Sequence, residues 1–255
     1  MCLLSYYAPG VPVDEDELRR GAEVNDEGHG FALTLPADDV RGILTAKGMD
    51  FGSVLRLFAG MRSEYPQSHA AFHSRLATTG RVCTQQAHPV MCCPNGSEWN
   101  AALFLNGTLD FPFEAIGKLS DTEHLAHGLE SMDLDDPVHA DALEIQAKRC
   151  NAKILILAAD DLMAENAYIF NRDQWVVTPQ GVLHSNADFR GKGTGWDEST
   201  CDDGTLLRWR MLQPGQCSFC FRYGCRNPAH PGEDYPPHPP AWRNETERRA
   251  KVRGR

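Results

Sequence analysis

Cys2 lies directly behind Met1. Methionine aminopeptidase removes an initiator methionine when the next side chain is small, and the chain would then begin with a residue carrying both a thiol and a free α-amine. The amine has an ordinary pKa of about 7.7–8.0 and the thiol one of about 8.5, so the amine can draw off the thiol proton near neutral pH. The thiolate is the attacking species, and a nucleophile that carries its own base needs no separate histidine. Retained Met1 would lock the amine into a peptide bond and abolish that base. Taken alone, Cys2 is simply a second residue, and its meaning depends on what accompanies it.

Four further segments follow in order: His73-Ser-Arg75-Leu-Ala-Thr-Thr-Gly80, Ala87-His88-Pro89, Leu105-Asn106-Gly107-Thr108 and Ser120-Asp121-Thr122-Glu123. Each has an ordinary reading. Asn106-Gly107 is a strong turn pair. Asp121 suits the start of a helix, because Ser120 with Glu123 three residues later is a capping box. Arg75 alone reads as a surface charge, and His88 before a proline as a loop residue.

Together and in this order the segments resemble the class II, N-terminal-cysteine glutamine amidotransferases of the Ntn-hydrolase superfamily. Their patterns run H-x-R-x-A-T-x-G, then a His-Pro pair, then N-G-T/I, then a D-T-E-like segment. Asn25-Asp26-Glu27-Gly28-His29-Gly30 looks like the N-x-D-G-x-G segment of the stand-alone members. The resemblance covers about residues 2–210. It implies an α+β fold, the four-layer αββα Ntn sandwich, and hydrolysis of the glutamine side-chain amide through a thioester on Cys2.

That chemistry needs a nucleophile, a base and donors for a tetrahedral oxyanion. Cys2 supplies the first two. The resemblance assigns the oxyanion to the Asn106 side-chain amide and the Gly107 backbone N–H. Arg75 matches the arginine that binds the substrate α-carboxylate, for which a guanidinium fork is suited. Asp121 matches the acid that receives the α-ammonium. His88 is expected on the substrate side in a supporting role, and His73 and Thr78 are expected to shape the loop behind Arg75. Three positions depart from the common pattern: Leu3 stands where many members have Gly, Leu76 where larger synthases often have Trp, and Gln86 where Asn precedes the His-Pro pair.

No cofactor is required for this chemistry. Neither a sugar-isomerase nor a phosphoribosyl or ATP-dependent synthetase pattern follows in the 255 residues, so an ammonia acceptor would lie on another polypeptide. Another γ-glutamyl amide conjugate is an alternative substrate, since Arg75 and Asp121 would read the same glutamyl head. A non-catalytic scaffold binding a partner or nucleic acid through its tail is the alternative outside enzymes, against which the intact Cys2, Arg75, Asn106 and Asp121 argue.

The elements expected to position these residues are strands at 3–7, 28–35, 72–77 and 101–105, and helices at 14–20, 38–47, 50–64, 120 onward and 136–150. Four short strands follow at 154–158, 167–171, 174–178 and 181–185, with one more at 206–212. Strands, then helices, then strands again suggest a layered α+β domain rather than repeating βαβ units. The amidotransferase-like domain is placed at 2–212, with a Cys- and Pro-rich appendage and basic tail at 213–255.

The net charge is −10, made of −14 up to residue 221 and +4 from Arg222 onward. An acidic body argues against broad nucleic-acid binding, and the basic tail leaves salt-sensitive contact with an anion open. No apolar run nears the ~18 residues of a membrane span, and no secretory signal is visible. Nine cysteines, an odd number that includes the adjacent Cys92 and Cys93, fit reduced thiols in the cytoplasm better than a disulfide framework.

Cys217-x2-Cys220-x4-Cys225-x4-His230 has the spacing of a small zinc knuckle. Three thiolates and an imidazole make a closed tetrahedral Zn²⁺ site that would organise a segment too small to fold by burial. Cys201 is a substitute ligand. Phe219, Phe221 and Tyr223 interleave with Arg222 and Arg226 in a mix able to stack on bases. Otherwise these cysteines are free thiols and the aromatics pack on the body. If the knuckle forms, elemental analysis should find about one zinc per chain, and Cys217→Ser with Cys220→Ser should abolish it. A zinc-free wild-type protein would leave the thiols free.

Overall fold

A computed structural model describes residues 2–35, 42–77, 81–94, 101–109, 119–159 and 166–190. The expected strand at 206–212 and the candidate zinc ligands Cys217, Cys220, Cys225 and His230, with Cys201, lie outside the described residues, as does Thr78. No helix among the described residues is long and apolar enough to cross a membrane.

Two antiparallel sheets form the mixed α+β body. The first combines β1 (Leu3–Tyr7), β2 (His29–Thr34), β3 (Ile43–Gly48), β4 (Ala70–Ser74), β9 (Val176–Val177) and β10 (Leu183–His184), in the order β3-β2-β4-β1-β10-β9. The second runs β5-β6-β7-β8, from β5 (Val90–Cys92), β6 (Ala101–Asn106), β7 (Lys153–Ala158) and β8 (Ala167–Phe170). The helices are α1 (Glu15–Ala22), α2 (Phe51–Glu64), α3 (Asp121–Leu129) and α4 (Pro137–Arg149).

The second sheet shows why β6 and β7 read as unbroken apolar runs. Ala102, Phe104, Leu155 and Leu157 join a core with Tyr6, Phe31 and Phe72 of the first sheet and Phe58 of α2. The intervening Leu103, Leu105, Ile154 and Ile156 join a second core with Leu125 and Leu129 of α3 and Leu143 of α4. Successive strand side chains point to opposite faces, so a strand covered on both faces must be apolar throughout.

Local chemistry starts the helices where the sequence says they start. Asp14 caps α1 by accepting from Asp16 and Glu17 N–H, and Asp50 caps α2 by accepting from Ser53 N–H. Ser120 and Glu123 form the expected capping box on α3, and Asp136 caps α4 with Pro137 in its first turn.

Two sequence expectations are corrected. Residues 43–47, read within a helix at 38–47, belong instead to β3, paired with β2 from Ile43↔Thr34 to Gly48↔His29. Leu44 and Ala46 pack against the core while Thr45 and Lys47 are exposed, the two-residue period of an edge strand. The ladder along β2 outweighs the local helical pattern. β5 was not expected at all, because three residues are too few to show a period.

Buried polar groups tie the layers together. Arg62 of α2 donates to the carbonyls of Ala8 (2.6 Å), Val11 (3.0 Å), Tyr65 (3.3 Å) and Ser68. Burial lowers its pKa to about 10, so the cation persists and fixes the segment after β1 and the segment before β4. His69 bonds the Tyr6 hydroxyl at 2.8 Å, and burial lowers its pKa to about 3, as it does for His88.

Both imidazoles therefore stay neutral in the fold while the unfolded chain takes up protons below an ordinary histidine pKa of about 6.5. Stability should fall as pH drops from 6.5 toward 3, by about 2 kcal/mol per histidine between pH 7 and pH 5. Urea unfolding at the two pH values should show this loss shrinking by about that amount in His69→Asn. An unchanged pH slope in the variant would refute the assignment.

Candidate functional site

The register of the first sheet sets the geometry. β1 lies between β4 and β10, with Leu3 opposite Ser74 and Ser5 opposite His184. Antiparallel pairing then carries Cys2 toward residues 75–76 on one side and brings the segment after His184 alongside the same strand end on the other. Ser185 N–H donates to Leu4 O at 2.8 Å, and Leu4 N–H to Ser185 Oγ at 2.9 Å, continuing that edge.

The Cys2 thiol is held by the backbone of Leu76. Its S–H donates to Leu76 O at 3.4 Å, and Leu76 N–H donates to Sγ at 3.3 Å. The side chain of Leu76, where larger synthases have Trp, is not what holds the sulfur. Burial pushes the thiol pKa up, opposed by the Leu76 N–H, the amino-terminal charge and the Arg75 guanidinium. A thiol with raised pKa stays protonated near neutrality and needs a base to become a nucleophile.

Asn106 ends β6 in the second sheet and reaches across to the first. Its Nδ2 donates to Cys2 O at 2.6 Å and to Ser185 Oγ at 2.5 Å. Gly107 follows with a φ of +121°, in the region that favours glycine, and a Cβ there would lie 2.9 Å from Ala152 Cα. The Asn-Gly pair thus ends β6 in a bend, and Asn106 is also the bridge between the sheets at Cys2.

Arg75 and Asp121 approach from two other elements. The loop after β4 is clamped: Arg75 N–H donates to Gly28 O at 2.8 Å, Glu27 N–H to Arg75 O at 2.9 Å, and Ala77 N–H to Glu27 Oε2 at 2.5 Å. Arg75 Nη1 donates to Arg81 O at 2.7 Å, which orients the buried guanidinium. Asp121, the first residue of α3, accepts from Leu109 N–H at 3.2 Å and Thr122 N–H at 2.9 Å. Its pKa is raised by burial and pulled down by those two N–H groups, its own backbone and Arg75. Arg75 thus acts electrostatically on both Cys2 and Asp121.

His88 is placed behind these groups. Its Nε2 bonds Thr122 Oγ1 at 2.9 Å and its Nδ1 lies 3.2 Å from Nδ1 of His73, one ring donating to the other. Gly30 makes room for it, since a Cβ there would meet His88 O. His88 therefore braces α3 next to Asp121, and its low proton affinity removes it from acid–base work. Gln86, at the third departure from the pattern, accepts from Arg81 N–H through Oε1 and donates to Glu123 Oε2 at 3.5 Å, linking the Arg75 loop to α3.

Of the expected site residues, Asn106 thus bonds Cys2 directly, Arg75 acts electrostatically on Cys2 and Asp121, and His88 reaches α3 through Thr122. Among the described residues no three or more His, Cys, Asp or Glu side chains cluster as metal ligands. Sequence reasoning missed Glu27 as the clamp of the Arg75 loop. It also missed Ser185 and Asn186, the latter donating from Nδ2 to Cys2 O at 2.7 Å. Only the β1–β10 register, which no motif carries, could have found that pair.

Gly107→Ala should destabilise the fold by about 1–3 kcal/mol, read as a lower urea midpoint, because the turn conformation resists a Cβ and Ala152 occupies its place. A wild-type midpoint would show that the turn is not confined as described.

The sequence matches no protein-family model and no curated protein. Among solved structures, the chain is similar to glutamine phosphoribosylpyrophosphate amidotransferase from B. subtilis complexed with ADP and GMP, with 18% identity and a TM-score of 0.44. It is also similar to a structure described as the allosteric regulatory enzyme of purine biosynthesis, with 16% identity and a TM-score of 0.41. Each match covers 72% of this chain and 42% of the other, so this chain spans less than half the length of either.

Proposed function

We propose that the chain is a class II glutamine amidotransferase of the stand-alone glutaminase type, with the four-layer αββα arrangement of the Ntn hydrolases, working in the cytoplasm. The observation that carries this reading is the hydrogen bond between Asn106 and Cys2 across the two sheets, with the Arg75 guanidinium acting electrostatically on both Cys2 and Asp121. Residues separated by a hundred positions meet there with the types that amide hydrolysis requires.

In this reading Met1 is removed and the Cys2 α-amine takes the thiol proton. Sγ attacks the γ-carbonyl of glutamine, whose developing oxyanion accepts from Asn106 Nδ2 and Gly107 N–H. Arg75 binds the α-carboxylate and Asp121 the α-ammonium, with Thr78 on the substrate side and His88 acting through Thr122. The C–N bond breaks as the amine returns its proton to the leaving nitrogen, releasing ammonia and a glutamyl thioester. Water, deprotonated by the same amine, cleaves the thioester to glutamate and restores the thiol. Ammonia then passes to an acceptor on another protein.

Intact mass after incubation with 6-diazo-5-oxo-norleucine, a glutamine-like electrophile, should show loss of Met1 and one adduct mapping to Cys2. Cys2→Ala should lower glutamine kcat/KM by at least about 10³-fold. Wild-type turnover in that variant, or a Met1-free protein that neither takes the label nor hydrolyses glutamine, would sink the reading. Turnover of γ-glutamyl conjugates in place of glutamine would move the substrate but keep the nucleophile.

A further inference from the structure

The carbonyl oxygen of Cys2 accepts from two carboxamides, Asn106 Nδ2 at 2.6 Å and Asn186 Nδ2 at 2.7 Å. The surroundings fix which end of Asn186 faces Cys2. Its Oδ1 accepts from Asp188 N–H at 2.9 Å, so a reversed amide would set oxygen against carbonyl and nitrogen against N–H. Asn186 is placed independently of Asn106. It follows β10, and the turn after it is secured to α1 by Arg20 Nε donating to Phe189 O at 2.7 Å. Asn25 Nδ2 adds a contact to Asp188 Oδ2 at 3.3 Å.

Asn106 has no N–H to spare. A carboxamide nitrogen carries two hydrogens, and those of Asn106 go to Cys2 O and to Ser185 Oγ. If Asn106 is to donate to an oxyanion, one of these bonds has to be given up. Either acceptor keeps a donor when Asn106 leaves, Asn186 Nδ2 at the Cys2 carbonyl and Leu4 N–H at Ser185 Oγ. Of the two, the Cys2 carbonyl belongs to the residue that carries the sulfur, so its bond to Asn106 is the one beside the reacting centre.

We infer that Asn186 is a positioning residue, which holds the Cys2 carbonyl through the reaction so that the Asn106 N–H can transfer to the oxyanion. The inference rests on the glutaminase reading above. Without Asn186, the carbonyl would keep Asn106 for itself or be left unsatisfied in the half-buried site, and the transition state would lose a donor that substrate binding does not use.

The test is steady-state glutamine hydrolysis by the full chain with Met1 removed. Asn186→Asp keeps the acceptor for Asp188 N–H and loses only the donor to Cys2, whereas Asn186→Ala loses the donor without adding charge. Both should lower kcat by about 10- to 100-fold with KM within about twofold. In an Asn106→Ala background the same substitutions should change kcat by less than about threefold, because the donor they serve is already absent. A kcat within about twofold of wild type in Asn186→Asp would reduce Asn186 to a turn residue. Equal losses with and without Asn106, or a loss confined to the charged variant, would also overturn the inference. The wild-type arm separates this from the larger reading: a Met1-free wild type that neither hydrolyses glutamine nor labels at Cys2 overturns both, while an active wild type with additive variants overturns the inference alone.

Discussion

The pairing of β1 between β4 and β10 is the constraint on which the site depends. Because strand side chains alternate, a slip of one residue along either neighbour would send every β1 side chain to the opposite face. The register is held by burial: all five residues of β1 are buried, with Leu4 and Tyr6 in the core shared with the second sheet. With that register, Cys2 has the Leu76 backbone on its sulfur and two carboxamides on its carbonyl. The sulfur is therefore held by backbone and the carbonyl by side chains, and the Leu76 side chain takes part in neither.

Around this strand end the groups that bear charge are treated differently from those that only support. Arg75 acts electrostatically on Asp121, and each is oriented by backbone hydrogen bonds. The histidines behind them are kept neutral by burial, with His73 and His88 stacked edge-on at 4.1 Å and joined to α3 through Thr122. A protonated imidazole beside Arg75 would repel it in a low-dielectric interior, so neutrality here is a structural requirement. The two sheets meet at Asn106, where a turn pair serves as the only described side-chain link from β6 to Cys2.

Much of the local structure was legible in the chain. The caps at Asp14, Asp50, Ser120 and Asp136, the Asn106-Gly107 bend and the two-faced apolar strands β6 and β7 all follow from side-chain chemistry within a few residues. β3 was misread because its helical pattern was local while its pairing partner, β2, was not. Among site residues, Cys2, Arg75, Asn106 and Asp121 stand in an ordered set of motifs, whereas Asn186 and Glu27 stand in none that fixes their contacts.

By itself the sequence determined which reactive groups are present, a thiol, a guanidinium, a carboxamide and a carboxylate, and in what order along the chain they come. The tertiary structure alone decided that Asn106 reaches Cys2 at one end of β1, that His88 braces α3 through Thr122, and that Asn106 shares the Cys2 carbonyl with Asn186. The physical reason is range. Capping, turns and strand alternation are set by neighbours in sequence, while strand register and the sharing of one acceptor by two donors depend on how distant segments are packed.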